Sequence, residues 1–91
     1  MNNVNEFRVL YDRDSDVLYI STRDMPAARG IEDAQGIVWR YDGEGNLIGA
    51  TVVDYYDHWS TRRRELTNAI ASKFEIPQGA AERVLEHAKD F

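Results

Sequence analysis

The apolar positions of this chain follow two different periods, and the change falls at Asp54. Before it, short runs of β-forming residues alternate with polar turns. Phe7-Arg8-Val9-Leu10-Tyr11 leads through Asp12-Arg13-Asp14-Ser15-Asp16 into Val17-Leu18-Tyr19-Ile20-Ser21-Thr22, which predicts a first hairpin. Ile37-Val38-Trp39-Arg40-Tyr41 leads through Asp42-Gly43-Glu44-Gly45-Asn46 into the run from Leu47 to Asp54, which predicts a second. Two glycines and an Asn in the second turn supply residues tolerant of positive φ. Between the hairpins, residues 24–30 read as a loop broken by Pro26 and Gly30, and Ile31 to Ala34 as a short additional edge strand.

The two hairpins resemble copies. Tyr11-Asp12 and Tyr41-Asp42 open the turns 30 residues apart. Asp14 then matches Glu44, Asp16 matches Asn46, Val17-Leu18 matches Leu47-Ile48, and Asp24 matches Asp54. The expected sheet is therefore antiparallel and four-stranded, two hairpins side by side. Its strands are apolar on both sides: Leu18 and Ile20 oppose Val17 and Tyr19, and Leu47 and Val53 oppose Ile48 and Val52. A half-exposed sheet alternates cleanly between apolar and polar, so this one needs cover on both faces.

After Asp54 the period becomes helical. Ser60 or Thr61 is placed to cap a helix carrying Leu66, Ala69, Ile70 and Phe74 on one face. Ile76-Pro77 breaks it, and Gln78 to Lys89 forms a second helix with Ala81, Val84, Leu85 and Ala88 inward. The whole reads as one α+β domain over residues 1–91, with a sheet in 7–54 and a helical hairpin in 60–90. Two short helices cover one face of the sheet. The other is left for a partner or a second copy of the chain, and a homo-oligomer, most simply a dimer, is expected.

Composition narrows the chemistry. Ninety-one residues suit a single domain, and the ten aromatic residues make a core feasible while leaving little room for an enclosed cavity. The absence of cysteine removes disulfides and zinc–thiolate sites and makes a reducing cytosol the simpler location. No apolar run approaches a membrane span, and the first residues lack the pattern of a signal peptide. Charge is uneven. Residues 1–59 carry five Arg against eleven acids, and residues 60–91 carry six basic residues against five acids. An acidic first part repels phosphate backbones, so nucleic acid would have to meet the last third.

Catalytic and metal constellations do not assemble. Asp12, Asp14 and Asp16 have the opening spacing of a calcium loop, but its required Gly and Glu positions hold Val17 and Arg23. Asp54, Asp57 and His58 lack a nearby further ligand, since His87 lies in the last helix. No serine sits in a nucleophile elbow, and no glycine-rich loop leads to a Lys-Ser or Lys-Thr pair. The carboxylates are placed on turns, where they are expected to stay solvated and ordinary. No catalytic residue and no cofactor is expected.

One segment combines rings with positive charge. Tyr55, Tyr56 and Trp59 precede Arg62, Arg63 and Arg64, and Trp59 is the expected anchor of a partner with the arginines as orienting charges. Packing of the same rings into the sheet-to-helix corner is the competing reading. The helical tail also partly fits a helix-turn-helix, with Gln78 and Arg83 as its base-reading candidates. Against that, Glu75 stands where the turn usually has Gly, and Glu82 and Glu86 share the second helix.

The strand region, Tyr11-Asp12-x-x-x-Asp16-Val17-Leu18-Tyr19-Ile20 through Gly36-Ile37-Val38-x-x-Tyr41-Asp42-x-x-Gly45-Asn46-Leu47-Ile48-Gly49, resembles the DUF2283 family of small bacterial and archaeal proteins. The likeness spans about residues 7–54. Trp39-Arg40 replaces the family's usual aliphatic and acidic pair, and the helical tail lies outside it. The family has no established activity, and the resemblance supplies no catalytic residues. Some members resemble antitoxins encoded beside small toxins, so it implies a toxin as one protein partner. The expected function is non-catalytic binding of a macromolecule. The alternative is a small DNA-binding regulator.

Overall fold

Alternation before Asp54 resolves into five strands in the computed structural model, which describes residues 7–23 and 25–87. They are β1 (Arg8–Asp12), β2 (Val17–Ser21), β3 (Arg29–Glu32), β4 (Ile37–Tyr41) and β5 (Leu47–Val53), followed by helices α1 (Arg63–Phe74) and α2 (Gln78–Glu86). The sheet is antiparallel throughout, in the order β1-β2-β5-β4-β3. The two expected hairpins, β1–β2 and β4–β5, lie side by side through the β2–β5 pair. The sheet has five strands rather than four. The extra one, β3, is the edge strand expected at residues 31–34, displaced toward the N-terminus so that Ile31 pairs with Trp39. Asp24, Ala88 and Lys89, used above in the repeat and the second helix, lie outside the described residues.

Turn chemistry explains the added strand. Asp33 begins the β3–β4 connection as Asp42 begins the β4–β5 connection. In each, the Asp side chain accepts the amides two and four residues on: Gln35 and Ile37 at 2.9 and 3.0 Å, Glu44 and Asn46 at 2.9 and 2.8 Å. In each, a glycine three residues on donates back to the Asp carbonyl at 3.2 Å, with φ of 90° at Gly36 and 85° at Gly45. The repeated unit is thus Asp-x-x-Gly, at 33–36 and 42–45. The β1–β2 turn differs. Its left-handed residue is Asp16, with φ of 58°, so the match of Asp16 to Asn46 does not extend to conformation.

One face of the sheet carries the core. Leu18, Ile20, Ile37, Trp39, Ala50 and Val52 meet Leu66, Ile70 and Phe74 of α1 and Ala81, Val84 and Leu85 of α2. Phe74 is edge-on to both Phe7 and Trp39, with ring centroids 5.1 and 6.2 Å away. The Trp39 indole nitrogen donates to Asp33 at 3.0 Å, so the largest ring of the sheet is tied to the turn that creates β3. Leu47 and Ile48 were expected on opposite faces. A bulge sets Arg40 opposite Gly49 and Tyr41 opposite Leu47, skipping Ile48, and both residues are withdrawn from solvent. Gly49 is fixed by crowding: a Cβ there would stand 2.6 Å from the Ile20 carbonyl.

The helix ends also differ from expectation. Neither Ser60 nor Thr61 caps α1. Its N-cap is Arg62, without a side-chain bond, because the turns of residues 54–61 displace the start. Glu75 ends α1 in the left-handed region with φ of 55°, and the Ile76 amide returns to the Ala71 carbonyl at 3.0 Å.

Candidate functional site

The corner between β5 and α1 is built on an aspartate from the β1–β2 turn, which lies beside it because Val17 pairs with Val53. Asp54 leaves β5 with φ of 55° and its carbonyl accepts the His58 amide, forming one tight turn. The free amides at its start are met by Asp16. Its carbonyl accepts from Tyr55 at 3.0 Å, and its carboxylate accepts from Tyr56 at 2.7 Å and Asp57 at 2.9 Å. The Tyr11 hydroxyl adds a fourth donor at 2.7 Å. Burial pushes the Asp16 pKa up, but the bonds from Tyr11, Asp57 and Tyr56 outweigh it and hold the group below the usual carboxylate range. Tyr11 responds in the opposite sense. Its bond to that carboxylate, with desolvation, raises its pKa to about 12.

This clamp orders the aromatic segment and decides which rings face out. Trp59 is 1% exposed and belongs to the core, so the expected partner anchor is already packed within the chain. The His58 ring stands edge-on beside it at 5.0 Å and is itself exposed. Tyr55 is also buried, edge-on to Tyr11 at 5.3 Å. Its hydroxyl accepts from Arg63 at 2.6 Å, and the Arg63 guanidinium lies 5.7 Å from the ring centre. Tyr56 is 71% exposed, the most exposed large apolar side chain among the described residues. Arg62 and Arg64 point to solvent as well, Arg62 with only a loose 3.4 Å contact to exposed Glu65. Of the six residues expected to bind a partner, Tyr56, Arg62 and Arg64 are displayed, while Tyr55, Trp59 and Arg63 hold the corner together.

Arg63 and Arg64 also line an open groove between the helices, of about 260 Å³, with Gln78, Glu82 and Glu86. The structure therefore brings residues of the two expected binding sets together. Gln78 donates to Asn68 at 2.6 Å, and Arg83 turns back toward the Gly79 carbonyl at 3.5 Å and does not line the groove. The two glutamates put negative charge beside the arginines, an arrangement unsuited to a phosphate backbone.

The expectation of ordinary, solvated turn carboxylates needs correction at three positions. Besides Asp16, Asp33 and Asp42 are held below the usual carboxylate range. At Asp33, burial opposes the shift and bonds from Ile37, Trp39, Gln35 and Gly36 outweigh it. At Asp42, the Asn46 amide is the largest cause. These groups stabilise turns. Asp54 and His58 line a second open groove of about 340 Å³ with Glu32, Gln35, Gly36 and Val53. Among the described residues, no group of three or more His, Cys, Asp or Glu side chains is placed to hold a metal ion. No described helix is long and apolar enough to cross a membrane.

The strand region that builds this corner is also the part with known relatives. A family model described as "Protein of unknown function (DUF2283)" matches residues 8–55, which is 48 of the 91 residues. No curated protein and no solved structure matches the chain.

Proposed function

We propose the following for this chain, which belongs to the DUF2283 family: it is a non-catalytic, cytosolic domain that binds another protein through the displayed part of the β5–α1 corner. The observation that carries the reading is a large exposed ring on a clamped backbone. Tyr56 stands in solvent while its own amide and that of Asp57 are bound to Asp16. A side chain fixed at its base loses little backbone freedom on binding, which favours its use as an anchor. Arg62 and Arg64 follow it, and in a chain of net charge −5 they favour a carboxylate-bearing partner surface. The antitoxin of a toxin–antitoxin pair is the specific form of this reading, with a small toxin encoded beside the gene as partner.

The test is to purify the product of the adjacent gene and titrate it calorimetrically with the wild type and with the variant Tyr56→Ala, Arg62→Ala, Arg64→Ala. Binding by the wild type and a loss of at least about tenfold in the variant are expected, since ring and Arg anchors each contribute more than about 1 kcal/mol. Equal affinities, or no binding by the wild type, would overturn the reading. The DNA-binding alternative predicts a different pattern: retention on duplex DNA that weakens in Gln78→Ala and Arg83→Ala.

A further inference from the structure

Both helices lie on one face of the sheet, and neither covers the opposite face. Its composition follows from the register. Leu10, Tyr19, Thr51, Val38 and Glu32 form one row across all five strands. Arg8, Ser21, Gly49, Arg40 and Gly30 form the row on one side of it, and Asp12, Val17 and Val53 the row on the other. Leu10 is 57% exposed, Tyr19 41% and Val53 44%, and Val17 and Val38 are half-buried. Five apolar side chains thus share the face with Ser21, Thr51 and four charged residues, more apolar surface than a fully solvated antiparallel face carries.

We infer that this face is the interface of a symmetric dimer, covered by the same face of a second copy of the chain. Three features select that occupant. The first is shape. Between Arg8 and Arg40, Ser21 and Gly49 leave a low step on the adjacent strands β2 and β5, where a second sheet can approach toward the roughly 10 Å separation of packed sheets. The second is charge. The chain carries −5 overall, but this face holds two arginines, Arg8 and Arg40, against two acids, Asp12 and Glu32. A two-fold axis can set base against acid on the balanced face, whereas contact between the acidic remainders of two copies is repulsive. The Arg40 Nε donates to the Thr51 hydroxyl at 2.7 Å, which holds the side chain along the face and leaves its charge for an acid of the second copy. The third is size. Five strands about 4.8 Å apart and about five residues long present roughly 20 by 17 Å, so two copies would bury about 700 Å² in flat projection, and more once side-chain relief is added. That is below the standard size of a stable interface and fits a weak, reversible dimer.

Sedimentation equilibrium over a wide concentration range tests this, with the wild type, Tyr19→Glu, Leu10→Glu and the corner variant of Tyr56, Arg62 and Arg64. The wild type should pass from monomer to dimer. Either glutamate, unpaired in an apolar interface, should weaken the dimer by more than about tenfold, while the corner variant should dimerise as the wild type does. Circular dichroism establishes that each variant is folded, and Leu10, on an edge strand, serves if Tyr19→Glu is not. A wild type that stays monomeric at several hundred micromolar would overturn the inference, as would a dimer unaffected by a folded glutamate variant. Loss of the dimer only in the corner variant would move the interface to that surface. The outcome is separate from toxin binding, which the glutamate variants should retain.

Discussion

The core face and the open face of the sheet are made from neighbouring residues of the same strands. Leu18 and Ile20 are at most 2% exposed, while Tyr19 between them is 41% exposed. Trp39 is sealed against Phe74 and tied to Asp33, while Val38 beside it faces out over Thr51. Both sides carry apolar groups, but the open one also holds Arg8, Asp12, Arg40 and Glu32, so the residue pattern already favours the other side as the core. Connectivity completes the choice. The corner at residues 54–62 turns the chain toward one face, and α1 and α2 cover that face only. An apolar residue on the covered face stabilises the monomer strongly, and one on the open face contributes little to it.

The sharpest way to break that contrast is a pair of truncations, both read by urea denaturation at low micromolar concentration. Trp39→Ala should cost about 3–5 kcal/mol through its cavity, whereas Tyr19→Ala should cost less than about 1 kcal/mol in the monomer. Comparable losses would mean that the open face is also part of the monomer core. The next effect concerns the turn that fastens Trp39. Asp33→Asn should cost about 1–2 kcal/mol, because an amide cannot accept from both the turn amides and the indole as a carboxylate does. It should also flatten the acid limb of stability. Asp33 is held below the usual carboxylate range, so its contribution is complete above the unfolded value of about 4 and is lost as pH falls through the folded one. Stability measured at pH 7 and again near pH 3 should therefore differ less in Asp33→Asn than in the wild type, and an unchanged difference would remove Asp33 from the acid response. The smallest effect is a gain. Glu75 closes α1 at a positive φ that glycine adopts freely, so Glu75→Gly should raise stability by about 1 kcal/mol and leave both faces as they are. A loss there would show that the Glu75 side chain supports the helix–helix junction.

The aspartates show where local reading stops. At Asp42, the glycine spacing and the following Asn mark the turn within five residues, and the structure uses them nearly as marked. Asp33 carries the same Asp-x-x-Gly signal, and weighing it would have fixed the third connection and with it the fifth strand. Asp16 carries no comparable signal. Its partners Tyr56 and Asp57 lie 40 and 41 residues away, and nothing in the spacing of the β1–β2 turn points to them.

Alternation and turn chemistry, both local, determined the strands, the two central hairpins, the change to helix after Asp54 and the apolar character of both sheet faces. Each depends on residues within a few positions of one another, where backbone sterics and side-chain spacing suffice. Only the tertiary structure decided that Trp59, Tyr55 and Arg63 turn inward while Tyr56, Arg62 and Arg64 remain outside. The same aromatic and arginine residues serve a core or an interface equally well. Which they serve depends on the direction the chain takes after β5, and that direction is held by Asp16, a residue distant in sequence that meets the corner only once the sheet has formed.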